Sequence, residues 1–453
     1  MSTAELRSVL DGDGGRFIYL SAALAALNGL LFGFDTGIIS GAFLYIQDTF
    51  AMSPLIEGVV VSGAMAGAAL GAAVGGRLAD RIGRRRLILL GAGVFFVGSL
   101  TMAVAPSVPV LVAGRLIDGV AIGFASIVGP LYISEIAPPR IRGALTSLNQ
   151  LMVTVGILVS YFVNFAFADA GAWRWMLGAG MVPAVVLAIG MLKMPESPRW
   201  LLEQGRTDEA RAVLARTRSE GVDEELAEIR TTVEKQSGTG LRDLLQPWMR
   251  PALLVGLGLA VFQQITGINA VIYYAPTILE STGFGSVTSI LATVGIGVIN
   301  VGMTVVAIAL IDRVGRRALL LVGIGGMVLT LGVLGFVFYV PGFGGALGWI
   351  ATASLMAFVA FFAIGLGPVF WLLISEIYPL ATRGSAMGLV TVANWGANLA
   401  VSLAFPILTA NVGRPSTFWL FGLCSLVALL FTYRLVPETK GRSLGAIEAD
   451  LRS

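Results

Sequence analysis

The sequence predicts an all-α membrane protein with twelve transmembrane helices in two six-helix halves. The first observation is composition, because 56% of the 453 residues are hydrophobic and only 13% are charged, whereas soluble domains carry about 25% charged residues. The second is that apolar runs of about 20 residues, long enough to cross a bilayer, recur along the chain. The third is an internal repeat that divides the chain near its middle.

Twelve apolar runs are separated by short polar breaks. The spans they predict are residues 17–39, 55–78, 87–105, 108–132, 144–168, 174–194, 250–276, 287–311, 318–340, 347–375, 385–410 and 415–436. The chain also contains 58 glycines, which favour close helix packing in lipid because small residues let two backbones approach.

Three motifs occur twice in the same order. DRIGRRRL returns as DRVGRRAL, SEIAPPRIRGA as SEIYPLATRGSA, and PESPRW as PETKGR, starting at Asp80 and Asp312, Ser134 and Ser375, and Pro195 and Pro437. Parallel halves of this kind are a transporter architecture with a site between them near the bilayer midplane. We therefore expect an N-terminal half at 1–197 and a C-terminal half with a short tail at 250–453.

The segment 198–249 between the halves is the one long polar stretch. TDEARAVLARTR has Thr207 as a candidate N-cap and acids in its first turn. DEELAEIRTTVEK has apolar residues at helical spacing, namely Leu226, Ile229 and Val233. We expect two or three short amphipathic helices beneath the bundle on the cytoplasmic side. A flexible linker is the alternative, because the segment contains SGTG at Ser237–Gly240.

Arginines cluster in the loops after the even-numbered spans, at Arg81, Arg84, Arg85, Arg86, Arg140, Arg142, Arg313, Arg316, Arg317 and Arg383. In the opposite loops only Arg174 and Arg414 occur, each at a span edge. The positive-inside rule then places both termini and the even-numbered loops in the cytoplasm, with the chain in the cell membrane as a multi-pass protein. A nucleic-acid partner is a poor interpretation, because these arginines are divided among several helix ends.

Several kinds of chemistry are excluded by residue type. Cys424 is the single cysteine and histidine is absent, so neither a disulfide framework, a zinc site nor an imidazole step can be built. The sequence also lacks a P-loop, a nucleotide fingerprint and a metal-ligand cluster. We expect no enzyme activity, no metal and no cofactor.

Two ionisable residues lie inside apolar spans. Asp35 is part of GLLFGFDTGIISG, and Arg115 opens GRLIDGVAIG. A charge at membrane depth costs about 2.5–3.5 kcal/mol and therefore indicates function by default. The pair suggests a proton-linked transport site, while a static ion pair that fixes helix packing is the alternative. Asp118 lies three residues after Arg115 on the same helix face. It either neutralises Arg115 or supplies a second carboxylate.

The repeated D-R-x-G-R-R and S-E-x-x-P…R-G loops, with PESPRW, QQITGIN and PETKGRS, resemble the sugar porter family of the major facilitator superfamily. The resemblance covers nearly the whole chain in the same order. It implies the major facilitator fold and a monosaccharide transporter that works by alternating access, functional as a monomer. We expect sugar:proton symport. A facilitative uniporter is the alternative, and a sugar sensor or a polyol transporter is a more remote one.

The resemblance also implies roles for the buried charges. In the family's proton symporters an aspartate at the position of Asp35 takes the proton, with an arginine at the position of Arg115 as its partner. Two positions depart from family patterns. Gly180 stands where the xylose symporter type carries a glutamate, so coupling has to work without it. Ala363 replaces a glutamate of the animal facilitators, which favours the bacterial type.

Six amides lie at membrane depth: Gln150, Gln263, Gln264, Asn269, Asn300 and Asn394. Amides in bundles commonly form interhelical hydrogen bonds, and they also suit a neutral ligand rich in hydroxyls. The resemblance implies that these six bind the sugar. Gly267 is placed to loosen span 7 between its amides.

Five aromatic residues are implied by the resemblance to line or close the same site. Trp371 would stack on the sugar, Trp395 would line the cavity and Phe32 would face the sugar from the first half. Tyr273 and Tyr274 would form an external gate. Core packing is the alternative for each aromatic taken alone.

The arginine boxes also contain acids at a repeated spacing of seven, Glu135 with Arg142 and Glu376 with Arg383. With Arg84, Arg85, Arg316 and Arg317 they are expected to form charge-paired clusters that close the cytoplasmic side in one state and separate in the other. Topology alone is the alternative interpretation, but it leaves the repeated acids unexplained.

Overall fold

The computed structural model describes residues 13–138, 141–218, 221–236, 244, 246–340, 342–379 and 382–442. Within these ranges, side chains are described except at 13–16, 142–144, 146 and 232–236. The described chain is helical and contains twelve helical spans long and apolar enough to cross a membrane. The predicted fold class is therefore confirmed.

The first six spans follow the predicted apolar runs. Spans 1 to 5 are Asp13–Thr49, Pro54–Ile82, Arg84–Ala103, Val108–Ile136 and Arg142–Ala168, and span 6 consists of Trp173–Gly178 and Met181–Leu192. Span 1 continues ten residues beyond its predicted end at residue 39. The continuation is apolar and buried, as at Phe43 and Ile46, so the helix extends rather than ending at the polar Ser40.

The last six spans include two that are broken. Span 7 consists of Arg250–Ile265 and Ile268–Glu280, and span 10 of Leu347–Ile364 and Leu366–Ile377; spans 8, 9, 11 and 12 are Ser286–Val314, Arg316–Tyr339, Arg383–Asn411 and Arg414–Leu435. Span 7 breaks at Gly267, whose φ of +90° favours glycine. A Cβ there would lie 2.5 Å from the ring of Phe421, so position 267 requires glycine both for its conformation and for the space it leaves.

Three short helices follow span 6, at Pro198–Glu203, Thr207–Thr217 and Val222–Gln236. The prediction that Thr207 is the N-cap is wrong. Arg206 holds that position without a capping side-chain hydrogen bond, and its guanidinium binds both carboxylate oxygens of Glu209 in the first turn at 2.6 Å. The indole of Trp200 donates to the carbonyl of Asp80 at 2.8 Å, which attaches these helices to span 2. The SGTG stretch lies outside the described residues.

The two halves meet along span 2 with span 11, span 5 with span 8, and span 1 with the second helix of span 7. At the first of these contacts the backbones approach closely, since a Cβ on Gly58 would lie 2.6 Å from the carbonyl oxygen of Leu403. We call the bundle end that carries the loops after spans 2, 4, 8 and 10 the arginine-rich face, and the other end the opposite face. Gly58, near the start of span 2, lies toward the opposite face.

Candidate functional site

A buried ion pair connects span 4 to span 1. Nη1 of Arg115 donates to Oδ1 of Asp35, and the two side chains are 0% and 1% exposed. Nη2 of Arg115 also donates to the carbonyl of Val61 on span 2, at 3.3 Å. Buried charges are tolerated only when they are paired and hydrogen-bonded. The structure therefore brings together the two ionisable residues that the sequence singles out.

Asp118 faces a different neighbour. Its Oδ2 accepts from the hydroxyl of Ser99 on span 3 at 3.3 Å, and its side chain is buried. Among the described residues, Arg115 is ion-paired with Asp35 and not with Asp118. Asp118 therefore forms no direct ion pair with Arg115 in this state, because its carboxylate is turned toward Ser99 on span 3. The alternative, that Asp118 supplies a second carboxylate, is what the Asp118→Asn variant tests. Gly180 lies beside Ser99, since a Cβ at position 180 would be 2.8 Å from the Ser99 hydroxyl.

Four of the six amides form one hydrogen-bonded network. Gln264 donates to Oδ1 of Asn394 at 3.1 Å, and Asn394 donates to Oε1 of Gln263 at 2.8 Å. Asn269, beyond the break at Gly267, donates to Oε1 of Gln264 at 2.6 Å. The break allows this last contact, because it turns the second helix of span 7 relative to the first. The network concentrates amide donors and acceptors in the C-terminal half.

The network also reaches the break in span 10. Nε2 of Gln263 donates to the carbonyl of Leu366 at 3.0 Å, directly after the interruption at Gly365. Asn300 is buried on span 8 and Gln150 is half-buried on span 5. Neither is a member of the four-amide network described above.

An aromatic contact joins the halves beside the amides. The rings of Phe32 on span 1 and Trp395 on span 11 have centroids 5.2 Å apart, at an interplanar angle of 53°. The indole nitrogen of Trp395 is buried and has no hydrogen-bond partner among the described residues. The indole N–H of Trp395 is therefore a hydrogen-bond donor without an acceptor in this state. Trp371 is half-buried and packs edge-on against Phe370, with ring centroids 4.8 Å apart.

The two tyrosines of span 7 lie toward the opposite face, where the protein is closed. Tyr273 and Tyr274 are 1% and 2% exposed. Phe43 on span 1 meets Tyr274 edge-on, with ring centroids 5.7 Å apart. Asn398 donates to the hydroxyl of Tyr273 at 3.3 Å. Both tyrosines are therefore buried where span 7 packs against spans 1 and 11.

Sequence reasoning missed three residues of this closure. Asn398 lies one turn after Asn394 on span 11, so its spacing was an available signal. Phe43 lies in the part of span 1 beyond the predicted end. Tyr161 on span 5 donates to the carbonyl of Ile272 on span 7 at 3.2 Å, and no motif marked it.

Two matching ion pairs occupy the arginine-rich face. Arg84 at the start of span 3 binds Glu135 through Nε and Nη2, at 2.9 and 3.0 Å. Arg316 at the start of span 9 binds Glu376 in the same way, at 3.2 and 2.9 Å. Such two-bond pairs are the stronger arginine–carboxylate geometry. Each pair lies within one half of the chain.

The remaining arginines of the predicted clusters bind backbone carbonyls instead. Arg85 donates to Met191 at 3.0 Å, and Arg383 donates to Tyr378 at 3.1 Å. Arg317 likewise donates to a carbonyl, that of Tyr433. The side chain of Arg142 lies outside the described residues. Within the predicted clusters, Glu135 and Glu376 thus pair with Arg84 and Arg316, the arginines that begin spans 3 and 9.

Two further glutamates hold the same helix starts and were not predicted as site residues. Glu196 accepts the backbone N–H groups of Arg84 and Arg85 at 2.9 and 3.0 Å. Glu438 accepts those of Arg316 and Arg317 at 3.0 and 3.1 Å. A carboxylate at a helix N-terminus is favourable because the N–H groups there lack intrahelical partners. The PES and PET motifs were the available signal.

Glu438 lies outside the membrane spans, and the surroundings of its carboxyl shift its pKa. Partial burial tends to raise the pKa of its carboxyl, but the backbone N–H groups of Lys440, Arg316, Arg317 and Thr439 favour the ionised form, and the pKa lies below its usual value of 4.5.

Twelve spans in two halves, with a buried polar site where the halves meet, define a polytopic membrane transporter. Residues 21–451 match the family described as "Sugar (and other) transporter", and the chain belongs to that family.

Relatives and solved structures resemble the chain over nearly its whole length. It is 47% identical over 428 residues to the putative metabolite transport protein YwtG of Bacillus subtilis, covering 94% of this chain and 93% of the relative. It is 42% identical over 432 residues to the galactose-proton symporter of Escherichia coli, covering 94% and 93%. The partially occluded inward open structure of the xylose transporter XylE from E. coli matches with a TM-score of 0.84, 32% identity, and coverage of 94% of this chain and 100% of that one.

Proposed function

We propose that this protein carries a monosaccharide together with protons across the membrane by alternating access. The observation that carries the proposal is the position of the Asp35–Arg115 ion pair. It is fully buried within the spans, and Asp35 lies about one helical turn after Phe32, whose ring contacts Trp395. The proton site and the sugar site would therefore share span 1. The galactose-proton symporter named above supports both parts of the proposal.

Asp35 is the proposed proton carrier. Oδ1 accepts from Arg115, while Oδ2 is buried without a hydrogen-bond partner among the described residues. A buried carboxylate that loses its cationic partner is favoured to become the neutral acid, because an unpaired buried charge is costly. Movement of span 4 relative to span 1 would then exchange the arginine for a proton.

The sugar would bind to Gln263, Gln264, Asn269 and Asn394, with Gln150 and Asn300 contributing from spans 5 and 8. A neutral sugar presents hydroxyls that both donate and accept, and amides offer both functions without charge. The indole N–H of Trp395 supplies a further donor. Phe32, Trp371 and Trp395 would provide apolar faces for the ring carbons.

Alternating access would use the closure at the opposite face. There span 1 meets span 7 at Phe43 and Tyr274, whereas the ion pairs of Arg84 and Arg316 on the arginine-rich face stay within one half or reach the short helices. This is the arrangement expected when access is from the arginine-rich face. The arginines would place that face in the cytoplasm of the cell, with both termini, and the protein would work as a monomer in the bilayer.

The test is uptake into proteoliposomes. Purified protein would be given labelled glucose, galactose, xylose, arabinose and myo-inositol, with and without an imposed inward proton gradient. Symport predicts that at least one of these accumulates above its external concentration, and only with the gradient. Equilibration without accumulation would make the protein a facilitative uniporter. Binding of a sugar without any uptake would contradict transport and leave a sensor.

A further inference from the structure

Two prolines interrupt the hydrogen bonding of the helices that close the opposite face. Pro276 lies inside the second helix of span 7, and Pro406 lies inside span 11. Proline has no backbone N–H, so the carbonyl four residues before it loses its intrahelical donor. The two carbonyls released in this way belong to Ile272 and Ser402.

Each released carbonyl is bound by a tyrosine hydroxyl. Tyr161 donates to Ile272 at 3.2 Å, and Tyr274 donates to Ser402 at 3.2 Å. The first of these bonds crosses between the halves, because Tyr161 belongs to span 5 and Ile272 to span 7. The second joins span 7 to span 11 within the C-terminal half.

The hydrogen bond between Tyr161 and Ile272 is buried, so losing it would raise the free energy of this state. Tyr161 is 1% exposed and Ile272 is 5% exposed, so water does not replace the hydroxyl in this state. Gly297 on span 8 provides the space for the ring, since a Cβ there would lie 2.9 Å from Cδ2 of Tyr161. A buried carbonyl without a donor is costly.

We propose that Tyr161 is the residue that positions the second helix of span 7 in its closed state, because it supplies from the other half the hydrogen bond that Pro276 removes. When the opposite face opens, water takes over the Ile272 carbonyl and the bond is no longer needed. Tyr161 thus stabilises the closed state without touching the substrate. The proposal rests on the alternating access proposed above, but not on the identity of the sugar or on proton coupling.

The test measures the distance between the halves at the opposite face. Cys424 is replaced by Ser, and spin labels are attached at Asp48→Cys and Thr288→Cys, two exposed positions at the end of span 1 and the start of span 8. Distance distributions are recorded without sugar or gradient. In Tyr161→Phe the closed state contains an unpaired carbonyl, so the ratio of closed to open populations should fall by about 5- to 150-fold.

Tyr132→Phe is the matched control. Tyr132 is also a buried tyrosine whose hydroxyl donates to a carbonyl, that of Pro195 at 2.8 Å, but both residues belong to the N-terminal half. Its distance distribution should equal that of the parent. Size-exclusion profiles and circular dichroism establish that each variant is folded.

A second pair of variants tests the part played by the proline. Ala at position 276 restores an N–H to the Ile272 carbonyl, so Tyr161→Phe should change the population ratio by less than about twofold when made in Pro276→Ala. A shift of equal size in both backgrounds would overturn the assignment to this carbonyl.

An unchanged distance distribution in Tyr161→Phe itself would overturn the proposal, whatever Pro276→Ala does. Failure of the proposed function is seen separately, as absence of sugar uptake by the parent protein.

Discussion

Asp35 uses one carboxylate oxygen to bind Arg115 and keeps the other, Oδ2, buried without a hydrogen-bond partner among the described residues. The ion pair connects span 1 to span 4, so it holds two helices that belong to the same half. We propose that this second oxygen receives the proton once the arginine withdraws. This relationship is the basis of the first two predictions.

We expect Asp35→Asn to abolish accumulation of sugar driven by a proton gradient. Asparagine keeps the shape of the side chain and can still bind Arg115, but it does not take up a proton at this step. Exchange of sugar between equal concentrations should partly survive, because the amide network is intact. Both activities are measured in proteoliposomes. Accumulation by Asp35→Asn at the parent's level would show that the proton is carried elsewhere.

Asp118→Asn provides the comparison, because Asp118 is also a buried acid in the same half. It contacts Ser99 rather than Arg115, and asparagine can keep that bond. We therefore expect accumulation and exchange to remain near the parent's values in the same assay. Loss of accumulation with exchange preserved would instead establish Asp118 as a second carboxylate of the proton site.

We expect Gln264→Ala and Asn269→Ala each to weaken sugar binding by about 5- to 150-fold, since a hydrogen-bond partner lost from a buried site costs about 1–3 kcal/mol. Affinity is measured by equilibrium binding to purified, folded protein. Asn411→Ala is the control, because its amide is exposed and donates to its own helix. Parent-like affinity in both site variants would place the sugar elsewhere.

Glu376→Gln should destabilise the access state in which the arginine-rich face is closed and the charge clusters are expected to meet across the halves; in the state described here the Arg316–Glu376 pair stays within one half. The variant removes the charge that binds Arg316 through two nitrogens while leaving every arginine in place, so orientation in the membrane should not change. Spin labels at Ser134→Cys and Ser375→Cys, in a Cys424→Ser background, report the distance between spans 4 and 10. We expect a shift to longer distances.

Asp312→Asn is the matched control for this closure, because Asp312 also pairs with Arg316 but is 80% exposed, and exposed pairs contribute little. If Glu376→Gln gave the same distances as this control and normal transport, the acids would serve topology rather than gating.

Glu438→Gln should lower the thermal stability of the detergent-solubilised protein at neutral pH. Replacing the charge weakens the contact with the N-terminus of span 9. A carboxylate at a helix N-terminus stabilises a protein by about 0.3–1 kcal/mol. The folded-state pKa of Glu438 lies below 4.5, so its stabilisation is complete above the unfolded pKa and is lost as pH falls through the folded one. The difference between parent and variant should therefore shrink under acid conditions, and a difference independent of pH would contradict this.

The sequence by itself determined the membrane class, the number of spans and the approximate position of each. It also identified Asp35 and Arg115 as the buried charges. These features depend on hydrophobic length and on residue type, which are local and can be read along one dimension. The repeated motifs revealed the two halves for the same reason. The end of span 1 was misplaced because a single polar residue interrupted an apolar run that the helix nevertheless continues.

The tertiary structure alone decided which polar groups meet. The sequence placed Glu376 in a cluster with several arginines, and only the packing selected Arg316, at the start of span 9, as the arginine that binds it through two nitrogens. Asp118 shares a helix face with Arg115 but is turned toward Ser99 on span 3. Tyr161 donates to the carbonyl of Ile272, which lies more than a hundred residues later in the chain and lacks an intrahelical donor because of Pro276. Such partners depend on how each helix is rotated and how closely small residues let it approach its neighbours, and these are properties of packing that no single helix contains.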